Sequence, residues 1–241
     1  IYSYACQNCK QNNIETPVIR AEKEVALIPG GFATPEAVVH IITQKFIMGY
    51  PLYRHEQEWK NQGIELSRQT MSNWMLKCVE LYLEPLYEKL HEKLLQREVL
   101  HADETTLQVL KEFGKPASSK SYMWLYRTGS DAKYPIVLYN YQSGRGKEYP
   151  QEFLKGYKGY LQTDGYSVYH DLNQDITDVG CWTHLRRKFD EARVALPKGK
   201  SAAMSAVTNA LGIFTKIYKI EKQLIKLSFA ERYTCLLYTS P

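Results

Sequence analysis

Hydrophobic positions along the chain change their period once, near residue 98. Before that point they recur at helical spacing. "ATPEAVVHIITQKFIMG" (33–49) sets Val38, Ile41, Ile42 and Phe46 on one face. Thr34 stands where a cap belongs, and Pro35 occupies the first helical position. After "GYP" a second helix, "LYRHEQEWKNQ", runs to a break at Gly63. A third begins at Arg68 and continues through "YEKLHEKLLQR" to about residue 97. Beyond it the pattern turns strand-like, with strands expected at 98–111, 121–127, 135–141, 159–163 and 176–182. A short helix is expected around 149–156, a basic helix in "HLRRKFDEARVAL", and a last helix over about 201–228. Three strands in a meander, followed by alternating helices and strands, predict an α/β layered domain with a mixed sheet. In the last helix Ile213, Ile217, Ile220, Leu224 and Leu227 form a stripe that reads as core or as a helix–helix seam.

The helical half has a further pattern. A helix, a turn with Gly63, Ser67 as cap and then another helix is the layout of a helix-turn-helix. Arg68, Gln69, Thr70 and Asn73, in the first turns of the second helix, are then placed to touch DNA. Met71, Trp74 and Met75 are expected to pack inward. A plain three-helix bundle fits the same residues.

Composition narrows the class. Hydrophobic residues make up 44% and charged residues 24%, ordinary for a globular protein, and no run of about 18 apolar residues suggests a membrane span. The first residues have no signal-peptide architecture. The chain opens on Ile1 rather than Met, so a piece of a longer protein is expected. Five scattered cysteines argue against a disulfide framework and for a reducing, intracellular setting. Residues 181–232 hold 11 Lys/Arg against 4 Asp/Glu, although the whole chain carries only +5. That basic third suits a polyanionic partner, and equally a solvated helical face.

Three short stretches carry the candidate chemistry. "VLHADETTLQVL" takes two acids, Asp103 and Glu104, into a run that reads as a strand, where an unpaired charge is costly. Either the strand has ended, or the acids have work to do. "YLQTDGYSVY" puts Asp164 at the end of another strand, before Gly165. Asp–Gly by itself signals a turn. If the sheet brings Asp103 and Asp164 together, the two carboxylates repel and favour a divalent cation between them. Hard oxygen ligands select Mg²⁺ or Mn²⁺. "CQNC" is a C-x2-C knuckle, Cys6 and Cys9, with the spacing of half a zinc site. No second pair lies near it downstream, so its partners precede residue 1 or there is no zinc.

Taken together, "VLHADETTLQVL", "GYLQTDGYSVYHDL", "GCWTHLRRKFDEA" and "LIPGGFATPEAVVHIITQKFIMGYPLYRHEQEW" resemble the IS66 family of bacterial insertion-sequence transposases. The resemblance runs in order over about residues 1–234. It implies an RNase H-like mixed sheet flanked by helices, preceded by the helix-turn-helix region and half of a zinc-binding knuckle. It also implies a DDE triad for metal-dependent DNA cleavage and strand transfer. Asp103 and Asp164 match its first two acids, and Cys6 and Cys9 match the second half of its zinc segment. "CWTH" fits a C-x2-H pattern of several such groups, so His184 positions DNA or stabilises the site; a helix-capping histidine is the bland alternative. Arg186, Arg187 and Lys188 would face phosphates. Glu104 matches no ligand position but can support the site from behind.

The third acid, a glutamate, has no match here, since Glu191, Glu221 and Glu231 fall outside the motif. As it stands the chain is expected to be catalytically incomplete. "CLLYTSP" leaves the family pattern and reads as adapter-derived or frameshifted sequence. The expected segments are thus a partial zinc region (1–28), a helical DNA-binding region (29–97), an incomplete catalytic core (98–200), a helical insertion (201–234) and a non-native tail (235–241). DNA is the expected partner, a homodimer is implied by work on two DNA ends, no membrane is involved, and the bacterial cytoplasm and nucleoid are the expected location. A non-catalytic DNA-binding remnant and an RNase H-like nuclease are the alternatives.

Overall fold

A computed structural model of the chain describes residues 3–12, 15, 18–20, 26–129, 132–196 and 201–239. Two compact units divide it, Ile1–Lys89 and Leu90–Pro241.

In the first unit the cysteine knuckle lies between two short strands. These are β1 (Ser3–Ala5) and β2 (Val18–Arg20), which pair antiparallel, with α1 (Gln7–Gln11) between them in the chain. That small hairpin has no counterpart in the sequence pattern, because three-residue strands are too short to show a period. The helical part follows the expected order: α2 (Pro35–Phe46), α3 (Leu52–Asn61) and α4 (Arg68–Cys78). Thr34 Oγ1 accepts the Ala37 N–H at 3.3 Å, and Ser67 Oγ accepts that of Thr70 at 3.1 Å. Gly63, at φ +81°, ends α3 in the left-handed conformation that costs glycine nothing. The Ile64 N–H reaches back to the Trp59 carbonyl at 2.8 Å and closes the turn. Val38, Ile41, Met71, Trp74, Met75 and Cys78 form the core of this unit, so the inward set expected of α4 is borne out.

The long third helix is not regular throughout. Residues Val79–Leu83 form a π-helical turn before α5 (Glu84–Leu95). Pro85 supplies the reason. It has no N–H, and its ring presses on the carbonyl four residues back. The wider turn, with the Glu84 N–H bonded to the Val79 carbonyl, accommodates it.

His55 is buried completely in this unit, and neither ring nitrogen has a hydrogen-bond partner among the described residues. Its neighbours are aromatic: Tyr50 at 4.8 Å and His40 at 5.7 Å between ring centroids. Burial pushes its pKa down, and the Glu58 carboxylate only partly counters this. A base whose folded pKa is lowered binds fewer protons folded than unfolded. Stability from this group is therefore complete above about pH 6.5, its ordinary value, and is lost as pH falls below it. The unfolding temperature of this unit should be lower at pH 5 than at pH 7.5, and His55→Phe should flatten that difference. An unchanged pH profile in the variant would exclude His55 as the source.

The second unit is built on a five-stranded sheet in the order β5-β4-β3-β6-β7. Its strands are β3 (Val99–Gln108), β4 (Lys120–Thr128), β5 (Val137–Gln142), β6 (Gly159–Thr163) and β7 (Ile176–Gly180). β3, β4 and β5 form an antiparallel meander; β3, β6 and β7 run parallel. The sheet is therefore mixed, as expected, and β3 lies at its centre. Its buried face carries Leu100, Ala102, Trp124, Tyr126, Leu138 and Leu161. Onto that face pack Phe153 of α6 (Glu148–Phe153), whose ring stacks on Tyr126 at 3.8 Å, and Tyr157, Tyr169 and Leu172. Tyr157 donates to the carbonyls of Glu98 (3.0 Å) and Tyr160 (2.8 Å), and burial pushes its hydroxyl pKa up to about 12.

After β7 come α7 (Trp182–Ala195), α8 (Ser201–Leu224) and α9 (Phe229–Thr239). Most of the stripe expected in α8 faces inward: Leu224 is buried, and Ile217 and Ile220 are half-buried. Ile213 is exposed and Leu227 lies exposed beyond the helix end, while Phe214 is buried and receives Trp182 and Phe189 of α7 at 5.6 and 5.8 Å. The aromatic partners on α7 decide which flank of α8 turns inward, and helix periodicity alone does not contain that information. α9 includes residues 235–239 of the segment expected to be a non-native tail, and the last two residues of that segment lie outside the described residues. Among the described residues no helix is long and apolar enough to cross a membrane.

Candidate carboxylate site

Both acids of the Asp103–Glu104 pair lie inside β3, which continues to Gln108, so the strand has not ended. Asp103 stands opposite Leu125 of β4, and Glu104 opposite Trp124. Strand alternation sends the two to opposite faces. Leu100 and Ala102 are buried, so Glu104 follows them inward, and only 1% of its side chain is exposed. Asp103 turns outward, with about half of its side chain exposed.

The β3–β6 ladder decides where Asp164 falls. Its parallel register pairs Val99 with Tyr160, Leu100 with Leu161 and His101 with Gln162. Asp103 and Asp164 are each two residues beyond the last pair. Directly registered residues in a parallel ladder share a face, so both acids belong to the Val99–His101 side. Asp164 leaves the strand at an Asx turn: its Oδ1 accepts the Tyr166 N–H at 2.9 Å, with Gly165 at φ +82°. Asp103 Oδ1 accepts the Glu104 N–H at 2.9 Å. Among the described residues no Lys or Arg pairs with either carboxylate. The arginine closest to hand, Arg145, is committed to Glu104 through Nε at 2.8 Å and a second guanidinium nitrogen.

The C-x2-H segment closes onto this pair. The Cys181 N–H donates to the Thr163 carbonyl at 2.8 Å, tying the start of α7 to the end of β6. His184, one turn on, brings Nε2 to 3.8 Å from Asp103 Oδ2. Its Nδ1 is buried and has no partner among the described residues. Arg186, Arg187 and Lys188 are exposed. Lys188, with Trp182 and Leu185, borders a groove that begins at Asp164 and Gly165. No side chain caps the first turn of α7.

The other candidates lie elsewhere in the chain. Arg68, Gln69 and Asn73 are exposed on α4 and Thr70 is half-buried. Glu56 accepts the Arg68 N–H at 3.1 Å, and Gln69 donates to Asn73 at 3.0 Å. Cys6 caps α1, and Cys9 lies within it. Hydrogen bonds from Cys9, backbone first and then side chain, lower the Cys6 thiol pKa. Two thiols do not by themselves fit a four-ligand zinc centre. The described residues contain no group of three or more His, Cys, Asp or Glu side chains that could hold a metal. Asp103 and Asp164 fit a hard dication as two oxygen ligands of a shell otherwise filled by water or substrate.

Sequence reading missed the buried side of the site. Tyr169 OH donates to Glu104 Oε2 at 2.5 Å, so Arg145 and Tyr169 between them hold both Glu104 oxygens. Burial first, and Glu104 next, push the Tyr169 hydroxyl far above the ordinary phenol range, so it stays a donor. The signal was present in the alternation of Leu100, Ala102 and Glu104.

The central strand of the mixed sheet and the turn after its parallel neighbour thus each carry one aspartate, beside a helix with Arg186, Arg187 and Lys188 exposed. Residues 30–235 match the transposase IS66 family, and the chain belongs to that family. It is 32% identical over 220 residues to the uncharacterized protein y4qI of Sinorhizobium fredii (strain NBRC 101917 / NGR234), covering 86% of this chain and 39% of that one. It is 29% identical over 241 residues to the uncharacterized protein y4jD of the same strain, covering 95% and 45%. The chain thus spans less than half the length of these relatives. No solved structure matches it.

Proposed function

We propose that this region is the strand-cleaving and joining core of a DDE-type DNA transposase, with Asp103 and Asp164 as two of its acids. The observation that supports the reading is the β3–β6 register, which ends two residues before each of two aspartates that have no Lys or Arg partner among the described residues. The strand order, with a meander on one flank of β3 and parallel strands on the other, supports an RNase H-like arrangement. When bound, Mg²⁺ or Mn²⁺ would polarise the scissile phosphate and activate the attacking water or 3′-hydroxyl.

The chain's own residues do the rest. Asp103 and Asp164 concentrate negative charge at one point on the face. His184 orients Asp103 through Nε2. Arg186, Arg187 and Lys188 hold the DNA backbone, and the uncapped first turn of α7 offers N–H groups to a phosphate. Arg68, Gln69, Thr70 and Asn73 contact DNA as the start of a recognition helix. Cys6 and Cys9 serve a structural zinc once further ligands join them. Work on two DNA ends calls for a homodimer, and a bacterial cytoplasmic, nucleoid-associated setting follows from the substrate.

A second reading is a DNA-binding remnant, in which the exposed Arg186, Arg187 and Lys188 hold DNA with no cutting step. An RNase H-like nuclease uses the same two acids without the joining step. Labelled insertion-sequence ends, incubated with Mg²⁺ and a polypeptide of the relatives' full length that carries this region, should be bound, nicked and joined to target DNA. Binding with no nicking would favour the remnant, and nicking without joined products the nuclease.

A further inference from the structure

We propose that Glu104, Arg145, Tyr166 and Tyr169 are positioning residues that clamp Asp103 and Asp164 into one fixed relative arrangement. The proposal rests on reading those two acids as a cation-holding pair, and it concerns the part of the site that lies behind them.

The β3–β6 ladder stops at His101 and Gln162, two residues short of either acid. Something else must relate the two carboxylates from there on. The link runs from Asp103 to its neighbour Glu104, whose N–H is bonded to Asp103 Oδ1 and whose side chain points to the other face. Glu104 Oε1 takes the Arg145 guanidinium, and Oε2 takes Tyr169 OH. The Arg145 guanidinium carbon lies over the Tyr166 ring, 3.8 Å from its centroid. Tyr166 in turn gives its N–H to Asp164 Oδ1, and its carbonyl accepts the Tyr169 N–H at 3.0 Å. The path therefore closes on itself: Asp103, Glu104, Arg145, Tyr166 and Asp164, with Tyr169 bridging Glu104 and Tyr166.

The loop carrying Arg145 is held by three further bonds, two of them from outside this ring. Trp124 Nε1 donates to the Gly144 carbonyl at 3.4 Å, Lys115 Nζ to that of Ser143, and Tyr166 OH to that of Arg145 at 3.5 Å. Glu104 is buried while 38% of the Arg145 side chain stays exposed, and a carboxylate taken out of water gains little net stability from its pair. What such a pair supplies is direction. Arg145 presents a rigid planar fork, and Glu104 has both oxygens engaged, so neither end can rotate. The retained charge here serves geometry.

The test uses the 241-residue chain with Mn²⁺ alone, followed by the loss of the free-ion electron paramagnetic resonance signal, alongside amide hydrogen exchange at Glu104 and Tyr166. Asp103→Asn and Asp164→Asn establish whether the bound ion depends on the pair. Tyr166→Leu removes the ring under Arg145 and the hydroxyl bonded to the Arg145 carbonyl, and keeps the backbone N–H that Asp164 accepts. The double variant Glu104→Leu with Arg145→Met replaces the ion pair by apolar volume and keeps a packed interior. In both clamp variants Mn²⁺ affinity should fall by about 10–100-fold, the usual loss when groups behind a metal ligand are removed. Exchange at the Glu104 and Tyr166 amides should quicken together, by about tenfold or more, with unchanged protection at Leu138 of the remote strand β5.

Mn²⁺ affinity within about twofold of wild type in a folded variant, or faster exchange at Glu104 with Tyr166 unaltered, overturns the clamp. If Mn²⁺ binding ignores Asp103→Asn and Asp164→Asn, the cation reading fails by itself. The exchange arm then decides alone: joint quickening sustains the clamp, and independent behaviour sinks it.

Discussion

In a polypeptide of the relatives' full length that carries this region, Asp103→Asn should lower the proposed cation-dependent strand cleavage by about 10³-fold or more, the expected result if this carboxylate contributes the several kcal/mol that a metal-bound ligand supplies to a phosphoryl transition state. The substitution is chosen to change little else. Asn keeps the Oδ1 acceptor that the Glu104 N–H uses and occupies the same volume. Asp103 is half exposed on an outward-facing strand position, so folding stability should shift by no more than about 0.5 kcal/mol. Relief of repulsion from Asp164 works in the stabilising direction. DNA retention depends on the basic residues and should persist. Asp164→Asn should behave alike, since Asn also supports the Asx turn to Tyr166. Gel assays of labelled ends, with a filter-binding control, measure both quantities. Cleavage surviving within tenfold of wild type would remove Asp103 from the chemistry.

The largest stability effect is expected at Trp124. Its side chain is fully buried on β4 opposite Glu104, with Tyr169 at 5.8 Å and Tyr149 at 6.4 Å between ring centroids. Trp124→Ala should cost about 3–5 kcal/mol through lost burial and the cavity left behind. That is a large share of the roughly 5–15 kcal/mol that holds a typical domain folded. Because Trp124 Nε1 also holds the Gly144 carbonyl, the Arg145 loop loses a tether at the same time. Trp124→Phe, which keeps most of the ring, should cost visibly less. Urea unfolding followed at the sheet-bearing unit measures the difference, and a loss below about 1 kcal/mol for the alanine variant would show the pocket to be plastic.

How far the sequence revealed this architecture differs from element to element. Strands and helices with four or more periodic positions were legible: β3 to β7, α2 to α4 and α7 all fall near their expected spans, and Thr34 and Ser67 cap as their residue types suggest. Elements governed by non-local contacts were not. The β1–β2 hairpin is too short to show a period, and Phe214 takes the inward place expected of Ile213 in α8 because its partners, Trp182 and Phe189, come from another helix. The π-helical turn at Val79 needed the steric consequence of Pro85, not a pattern.

At the site, the outward acids were visible as chemistry out of place in strands. Glu104 was visible too, but as the lesser neighbour of Asp103. Its burial follows from strand parity. Its partners Arg145 and Tyr169, 41 and 65 residues away, could be found only once the chain had folded.

One detail of the two outward acids bears on which ion such a place could select. In each, Oδ1 accepts a backbone N–H, that of Glu104 or of Tyr166, and Oδ2 is the freer oxygen, with His184 Nε2 3.8 Å from it in Asp103. Each aspartate can then offer one oxygen and not a chelating pair. Calcium, with its appetite for six to eight ligands and two-oxygen carboxylate grips, gains little there. Magnesium, smaller and content to keep much of its own water, loses nothing by it.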